Sequence, residues 1–463
     1  MANPLTQSQF TLVPVDFDPF AQGELLLTSP TTDSQKEIWS FVEMGKEANC
    51  AFNLSTVLKL CGSLKVGALR SAFGEIITRH EALRTTFSPD GAILCIAPSL
   101  TIEIPLIDLS GLGSQEREIQ WDLIRQQAVE QSFDLVYGPL LRVQIIRMQG
   151  EEHWVIFTAH HIIFDGWSWG VLFSELGIIY SAFRQGLVPQ LPEPDRFSEY
   201  TLLEQQQATE PEYLAAEQYW LNKFSDKIPV LELPTDRPRT TLKSFKAARE
   251  DREIDPATVK ALKKVGAKYG CTFFTTMTAA FEVFLSRITG QEDIVVGIAA
   301  ARQSVKGKSN LIGYCLNILP SRTYVDGKAS FSEYLQSRRS TLLDDYEHQQ
   351  VTSGSLLKKL IVPRDTSRIP LVSVRFNIDR ILENQLPRLE GLKVEVFSNP
   401  RSFDNFELFI DALETKKRCQ LKCYYNTDLF DAQTIQRRLE EFEVLLADIG
   451  SDIAVRCRKL SRN

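Results

Sequence analysis

The sequence lacks the features that mark membrane-spanning, secreted and metal-binding proteins. No apolar run approaches the roughly 20 residues that a transmembrane helix needs. The eight cysteines form no C-x-x-C pair, and Cys419 and Cys423 have no nearby cysteine or histidine to complete a metal site. The first 20 residues carry acidic side chains and no continuous apolar stretch, so a secretory signal is not expected. We therefore expect a cytoplasmic protein with reduced thiols, no metal and no membrane segment.

An excess of basic charge is also absent. Lys and Arg total 52 against 59 for Asp and Glu, which gives a net charge of −7. This balance argues against a protein dominated by nucleic-acid binding. The 463 residues are 43% hydrophobic and 24% charged, as in an average globular protein, and their number suggests about two or three domains.

Helical and strand-like patterns alternate along the chain. Apolar residues recur at helical spacing from Leu64 to Arg79, and apolar runs over 140–148 and 153–159 predict two strands. The turn residues at 88–91 predict a hairpin between two further short strands. This alternation predicts a mixed α/β fold.

Proline-rich segments between Gly186 and Arg239 predict a domain boundary. Elements of the same kinds recur on both sides of it. We therefore predict an N-terminal α/β lobe over residues 1–186 and a C-terminal α/β lobe over 187–463. A cleft between two such lobes is where a functional site is expected.

Histidine is scarce, but two of the five histidines, His160 and His161, are adjacent at the end of a predicted apolar strand. Successive strand residues point to opposite faces, so only one of the two imidazoles can readily meet a substrate. Asp165 and Gly166 follow in a predicted tight turn. A histidine beside such a turn can accept a proton from an amine, while backbone N–H groups stabilise a developing oxyanion. These are the parts of an acyl-transfer site.

The local pattern also fits a structural interpretation, with two satisfied histidines, an ordinary turn, and Ser168 capping the next helix. A Ser-His-Asp triad with Ser168 as nucleophile is disfavoured, because no G-x-S-x-G elbow surrounds that serine. Arg79 and Arg84 also have two interpretations. The default is a solvated charge at a helix end, and the alternative is support of the site.

Five segments, in order along the chain, resemble the condensation domains of nonribosomal peptide synthetases, which are similar in fold to chloramphenicol acetyltransferase. They are SPTTDSQKEIW (29–39), RHEALRTTF (79–87), AHHIIFDGWS (159–168) with an intact HHxxxDG signature, IGYCLNILPSR (312–322) and RDTSRIPLVSVRFN (364–377). Two segments depart from the family pattern. In the segment that begins IGYCLNIL, Asn317 is kept, but Cys315, Leu316 and Ile318 differ from the usual I-G-x-F-V-N-T-L pattern. The segment HQQVTSGSLLKKL (348–360) is similar to a variant found in mixed polyketide and peptide assembly lines.

The resemblance implies two chloramphenicol acetyltransferase-like lobes that form a V-shaped pseudodimer with a tunnel between them. The C-terminal lobe would carry linker, floor-loop and latch segments. The implied enzyme joins a donor acyl or peptidyl thioester to the amine of an acceptor aminoacyl thioester, and so makes a peptide bond. Both substrates would arrive on phosphopantetheine arms of carrier proteins, with no bound cofactor.

The implied partners are an upstream donor carrier protein, a downstream acceptor carrier protein and a neighbouring adenylation domain. The pseudodimer makes a monomer sufficient. The chain is expected to be either a stand-alone domain or a domain excised from a larger synthetase.

The resemblance also implies roles for individual residues. His161 would position the acceptor amine or act as its base. Gly166 would be a backbone element near the reacting centre, and His160 would pack or hydrogen-bond. Asp165 has three interpretations: it orients His161, pairs with an arginine, or caps the turn. The resemblance implies that it is structural, in an ion pair across the lobes, with Arg302 as the expected partner.

Ser168 and Asn317 are candidates for the tunnel wall.

Three other functions remain open. An epimerization domain also carries HHxxxDG but needs a carboxylate base across the tunnel, and DGWSWGVLF is more similar to the condensation form. A catalytically silent docking platform tends to have a degraded histidine motif. An acyltransferase that uses coenzyme A is disfavoured because the D-F-G-W-G segment of the plant-type branch is missing.

Overall fold

The computed structural model describes residues 27–303, 306–362, 365–380, 386–415 and 418–457. The first 20 residues, in which no secretory signal is expected, lie outside these ranges. So do Arg364 of the fifth resembling segment and the final RKLSRN. Among the described helices, none is both long enough and apolar enough to cross a membrane.

The N-terminal half alternates helices with strands. Its helices are α1 (Asp33–Val42), α2 (Lys46–Cys50), α3 (Val66–Arg79), α4 (Ser114–Glu130) and α5 (Gly166–Gln185). Its strands are β1 (Leu27–Pro30), β2 (Asn53–Gly62), β3 (Thr85–Phe87), β4 (Ile93–Ile96), β5 (Leu106–Asp108), β6 (Leu141–Gln149) and β7 (Glu152–His160). Two 3-10 turns lie at Glu81–Arg84 and His161–Ile163.

The strands of this half form two sheets. In the larger sheet β2 and β6 both pair antiparallel with the central β7, and β5 pairs parallel with β6. The smaller sheet has the order β1-β4-β3. The predicted helix at Leu64–Arg79, the two predicted strands and the predicted hairpin are confirmed as α3, β6, β7 and β3–β4.

The C-terminal half contains the third sheet and the remaining helices of the described chain. The helices are α6 (Phe197–Gln207), α7 (Pro211–Lys223), α8 (Pro256–Lys268), α9 (Phe273–Thr289), α10 (Phe331–Glu347), α11 (Ser353–Leu357) and α12 (Ala432–Ser451). The strands are β8 (Ala247–Ile254), β9 (Asp293–Ala301), β10 (Leu316–Tyr324), β11 (Val374–Arg380), β12 (Leu392–Ser398), β13 (Leu408–Glu414) and β14 (Cys419–Asn426).

The sheet of the C-terminal half has the order β10-β9-β11-β13-β14-β8. Alternating side chains on its strands separate two faces. Val374 and Phe376 of β11 are fully buried in a core that they share with α9 and α12. Arg375, between them, points to the opposite face, where the N-terminal half lies.

One strand of the C-terminal half joins the sheet of the N-terminal half. β12 pairs antiparallel with β2, from Leu392 opposite Gly62 to Ser398 opposite Thr56, and becomes an outer strand of that sheet. The division at residue 186 stays a prediction. Main-chain hydrogen bonds nevertheless tie the two sides of that division together.

Candidate active site

The end of β7 places the two adjacent histidines in different surroundings. His160 is completely buried, and its ring lies 6.0 Å from the rings of Phe52 and Phe133. Its Nδ1 accepts a hydrogen bond from the N–H of Ile162 at 3.3 Å. Burial lowers the pKa of His160 to about 3, so its imidazole is neutral. His160 therefore packs and hydrogen-bonds within the N-terminal half, and it does not line the cavity.

His161 lies on the other side of the strand end and lines a cavity between the two halves. Its Nδ1 lies 2.7 Å from the carbonyl oxygen of Phe164. Because a carbonyl can only accept, Nδ1 carries the proton, and Nε2 keeps its lone pair. Burial lowers the pKa of His161 to about 3, and the positive charges of Arg401 and Arg375 lower it further. The imidazole is therefore neutral and has the tautomer of a base.

Asp165 links the two halves of the molecule. Its carboxylate caps α5 by accepting from the N–H of Ser168 at 3.0 Å. It also accepts two hydrogen bonds from the C-terminal half. Gln303 Nε2 donates one at 2.6 Å, and the N–H of Cys315 donates the other at 3.0 Å. Burial raises the pKa of Asp165, and these hydrogen bonds oppose that rise. The carboxylate thus joins the end of β7 to the C-terminal half through hydrogen bonds.

The predicted partner of Asp165 is wrong. Arg302 pairs instead with Glu204 of α6, with 2.5 Å between Nη1 and Oε2, and Lys306 pairs with the same carboxylate. The neighbouring Gln303, completely buried, is the residue that reaches Asp165. Residues 302 and 303 follow the end of β9, and their side chains point in different directions. The prediction was therefore one residue away from the true partner, and Asp165 accepts a hydrogen bond from a neutral amide where an ion pair was expected.

Ser168 and Gly166 lie in the first turn of α5. The Ser168 hydroxyl is fully buried, 2.8 Å from Asp165 Oδ1 and 3.1 Å from both N and O of Gly313. These contacts explain the serine without a nucleophilic role, and its assignment to the tunnel wall is wrong. Gly166 begins α5, is exposed, and does not line the cavity. An added Cβ there would meet no atom within 4 Å, so crowding does not require glycine.

Asn317 is also not part of the cavity wall. Its side chain is buried, and Nδ2 donates to the carbonyls of Gln349 at 2.9 Å and Val351 at 2.7 Å. The alternation of β10 turns Leu316 and Ile318 toward the cavity and Asn317 away from it.

The two arginines near the second resembling segment are not solvated, so the default interpretation is wrong. Arg79 Nε lies 3.0 Å from Glu175 of α5, and Nη2 donates to the carbonyl of Pro192 at 2.6 Å. Arg84 is 8% exposed and donates to the carbonyl of Ala97. Neither residue lines the cavity, so both support the fold of the N-terminal half from a distance.

The cavity has a volume of about 350 Å³ and takes its walls from both halves. Its apolar lining includes Ile38, Phe41, Phe52, Leu316, Ile318, Val372 and Phe406. Its charged lining comprises Asp33, Lys36, Glu37, Lys358, Arg375, Arg401 and Asp404. The ring of Tyr314 also lines it and meets the His161 imidazole edge-on, with centroids 5.1 Å apart.

Sequence reasoning missed the charged groups in the cavity. Glu37 accepts a hydrogen bond from the N–H of Gly354, and burial raises its pKa. Arg375 was detectable in principle, because it interrupts the apolar strand segment PLVSVRFN with a charge. Glu37 and Arg401 left no comparable signal.

The described part of the chain contains neither a disulfide nor a cluster of metal-binding side chains. None of the eight cysteines, all of which lie in the described part of the chain, forms a disulfide. Within the described residues, no group of three His, Cys, Asp or Glu side chains is arranged to hold a metal ion.

Comparison with known proteins places the chain in a family. The condensation-domain family matches residues 27–462. A linear gramicidin synthase of Brevibacillus parabrevis is 35% identical over 428 residues, which cover 91% of this chain and 8% of that protein. Surfactin synthase subunit 2 of Bacillus subtilis is 30% identical over 441 residues, which cover 95% and 12%. The chain thus spans about a tenth of the length of these relatives.

Solved structures show the same fold. The condensation domain of the monacolin K polyketide synthase MokA superposes with a TM-score of 0.82 at 19% identity, covering 94% of this chain and all (100%) of that one. The four-domain nonribosomal peptide synthetase AB3403 gives a TM-score of 0.83 at 17% identity, covering 94% of this chain and 34% of that one. The predicted fold class, two chloramphenicol acetyltransferase-like lobes in a V-shaped pseudodimer, is confirmed. The chain belongs to the condensation-domain family of nonribosomal peptide synthetases.

Proposed function

We propose that this domain forms an amide bond between a donor acyl thioester and the amine of an acceptor aminoacyl thioester. The observation that carries the proposal is the state of His161. Its Nδ1 is held by the Phe164 carbonyl at 2.7 Å, which leaves the lone pair of Nε2 for a group in the cavity. A neutral imidazole with one fixed tautomer is suited to hydrogen-bond an amine and accept its proton.

In the proposed reaction the neutral acceptor amine attacks the thioester carbonyl of the donor. A C–N bond forms and the C–S bond breaks, while the amine proton moves to Nε2 of His161 and then to the departing thiolate. The cavity aligns the two reactants, and such alignment can supply effective molarities on the order of 10⁵ M or more. His161 therefore contributes both as a positioning group and as a base.

The remaining parts of the proposal concern delivery. Both substrates are carried on phosphopantetheine arms of donor and acceptor carrier proteins, with an adenylation domain as neighbour, and no cofactor is bound to the domain itself. The domain works as a monomer in the cytoplasm. The multidomain size of the relatives, of which this chain matches about a tenth, supports neighbouring domains of this kind.

A second candidate function, epimerization, is favoured by one observation. It needs a carboxylate base across the tunnel from His161, and Glu37 lines the same cavity. Burial raises the pKa of Glu37, which makes its carboxylate a stronger base, while the hydrogen bond from Gly354 favours the ionised form that a base needs.

The test uses a donor-loaded and an acceptor-loaded carrier protein, with the acceptor mass and its α-proton exchange followed together. Donors should include aminoacyl and polyketide-like acyl groups. Amide formation should fall about 100- to 10,000-fold in His161→Ala. His153→Ala changes a histidine of β7 that lies outside the cavity and is the matched control, and circular dichroism verifies folding of both variants.

The outcomes separate the candidates. A mass gain that is lost in His161→Ala supports condensation. Exchange of the α-proton without transfer, abolished in Glu37→Gln, would establish epimerization instead. Carrier binding with neither reaction, for every donor and acceptor tried, would point to a silent docking platform and overturn the proposal.

A further inference from the structure

Arg375 is a cation that forms no ion pair with any residue in the described part of the chain. It lies on β11 and lines the cavity together with His161. Among the described residues it donates no hydrogen bond, no carboxylate lies within ion-pair distance of it, and its buried Nε has no partner. Its guanidinium lies over the ring of Phe409, 4.6 Å from the centroid. The two lysines that line the cavity, Lys36 and Lys358, differ because they are exposed to solvent.

The carboxylates around Arg375 are engaged elsewhere. Asp404 pairs with Arg401 at 3.0 Å and accepts the N–H of Phe406 at 2.9 Å. Asp411, on the neighbouring strand, accepts Asn377 Nδ2 at 3.0 Å. The Arg401 guanidinium also flanks the Phe409 ring, 6.0 Å from its centroid. Two guanidinium groups therefore share one aromatic ring, and only one of them has a carboxylate partner within the described chain.

This arrangement is costly for the protein alone. A partly buried guanidinium that forms no hydrogen bond or ion pair with the described residues loses hydration, and the ring of Phe409 compensates for only part of that loss. The desolvation is strong enough to lower the pKa of Arg375, and the charge of Arg401 adds to that effect. A planar guanidinium with several N–H groups unused is suited to bind a carboxylate through two parallel hydrogen bonds.

The structure assigns Arg375, with Arg401 beside it, as the binding site for a carboxylate on one of the two substrates. The domain would thus join a group that carries an acid in addition to the reacting thioester or amine. This inference rests on the proposed function for the identity of the substrates. The phosphate of a phosphopantetheine arm is separated from its thioester by the whole pantetheine chain, so an anion in the cavity beside His161 belongs to the transferred group.

Binding of such an acid would also act on His161. The charges of Arg401 and Arg375 help to hold the pKa of His161 low. A carboxylate bound between them offsets these charges, which raises the basicity of Nε2 when an acidic substrate is in place. The site would then select the substrate and strengthen the base through the same contact.

Binding can be measured without the reaction. The probes are the N-acetylcysteamine thioester of glutaric acid and its neutral counterpart, in which the distal carboxylate is a primary amide. By isothermal titration calorimetry, the native domain should bind the acid about tenfold more tightly than the amide, or better. Arg375→Gln should abolish the preference, and Arg375→Lys should restore part of it.

Two controls make the result specific. Arg252→Gln should keep the preference, because Arg252 lies on β8 outside the cavity and pairs with Glu443 at 2.7 Å. His161→Ala should also keep the preference, so a failure of the condensation reaction does not affect this test. Equal binding of acid and amide by the native domain would overturn the inference even if neutral substrates are condensed.

The arm phosphate is tested separately by comparing 4′-phosphopantetheine with pantetheine. The ratio of the affinity for 4′-phosphopantetheine to the affinity for pantetheine should be the same in the native protein and in Arg375→Gln. If the phosphate advantage were lost in Arg375→Gln, the anion bound there would be the arm phosphate and not a substrate carboxylate, which would overturn the inference.

Discussion

Two desolvated charges of opposite sign lie where the two halves of the molecule meet, and their surroundings differ. The Asp165 carboxylate accepts hydrogen bonds from Ser168, Gln303 and Cys315 and is 1% exposed. Arg375 has no hydrogen-bonding or ion-pairing partner among the described residues. A desolvated charge that is satisfied by its own chain holds the fold together. A desolvated charge that is left unsatisfied is available to a ligand.

The largest expected effect is on stability when Asp165 is removed. Asp165→Ala leaves the amide of Gln303, the N–H of Cys315 and the N–H of Ser168 buried without an acceptor. We expect a loss of about 3 to 5 kcal/mol in the free energy of unfolding, measured by urea denaturation. A loss below about 1 kcal/mol would mean that Asp165 does not hold the halves together. Inactivity of this variant by itself would not show a catalytic role.

The next effect concerns pH and the two adjacent histidines at the end of β7. The pKa of both His160 and His161 is about 3 in the folded protein, against about 6.5 in an unfolded chain. Between these values the unfolded state binds protons that the folded state does not, so stability is lost as pH falls from 6.5 towards 3. Each histidine contributes about 1.4 kcal/mol per pH unit at most.

The contribution of His161 is obtained by difference. Relative to His161→Asn, the native protein should lose about 1 to 2 kcal/mol between pH 6.5 and 5 in urea denaturation. Parallel stability curves for the two proteins would contradict a depressed pKa at His161. For the same reason, the pH profile of kcat should show no inflection near 6.5 from this residue.

The accuracy of sequence reasoning differed between the two charges for physical reasons. Strand alternation is local, so the different environments of His160 and His161 were predictable from their adjacency at a strand end. The partner of Asp165 depends on how residues 302 and 303 turn after β9 ends, which tertiary packing decides. Arg375 was visible as a charge in an apolar strand. That it forms no ion pair among the described residues depends on how β11 packs beside Arg401, Asp404 and Asp411, which tertiary structure decides.

A smaller effect of opposite sign is expected at Arg375. Arg375→Met keeps contact with Phe406 and Phe409 and removes a desolvated cation. We expect a gain of about 1 kcal/mol in the free energy of unfolding, seen as a higher Tm, together with loss of acid binding. A lower Tm would show that the guanidinium is stabilised within the chain, and the contrast with Asp165 would disappear.

The smallest effect is expected for an exposed arginine of the same sheet. Arg252 pairs with Glu443 of α12, and its side chain is 40% exposed. Arg252→Gln should change the free energy of unfolding by no more than about 0.5 kcal/mol. A loss comparable to that of Asp165→Ala would mean that desolvation is not what distinguishes these charges.

The pairing of β12 with the sheet of the N-terminal half has a consequence for recombination between related synthetases. β2 of one half and β12 of the other are neighbours over seven residue pairs, from Leu392–Gly62 to Ser398–Thr56. A chimaera whose crossover point lies anywhere between these strands would pair a β2 from one parent with a β12 from the other. Grafts that alter the cavity through the C-terminal half should therefore inherit both strands from one parent, or rematch their facing side chains.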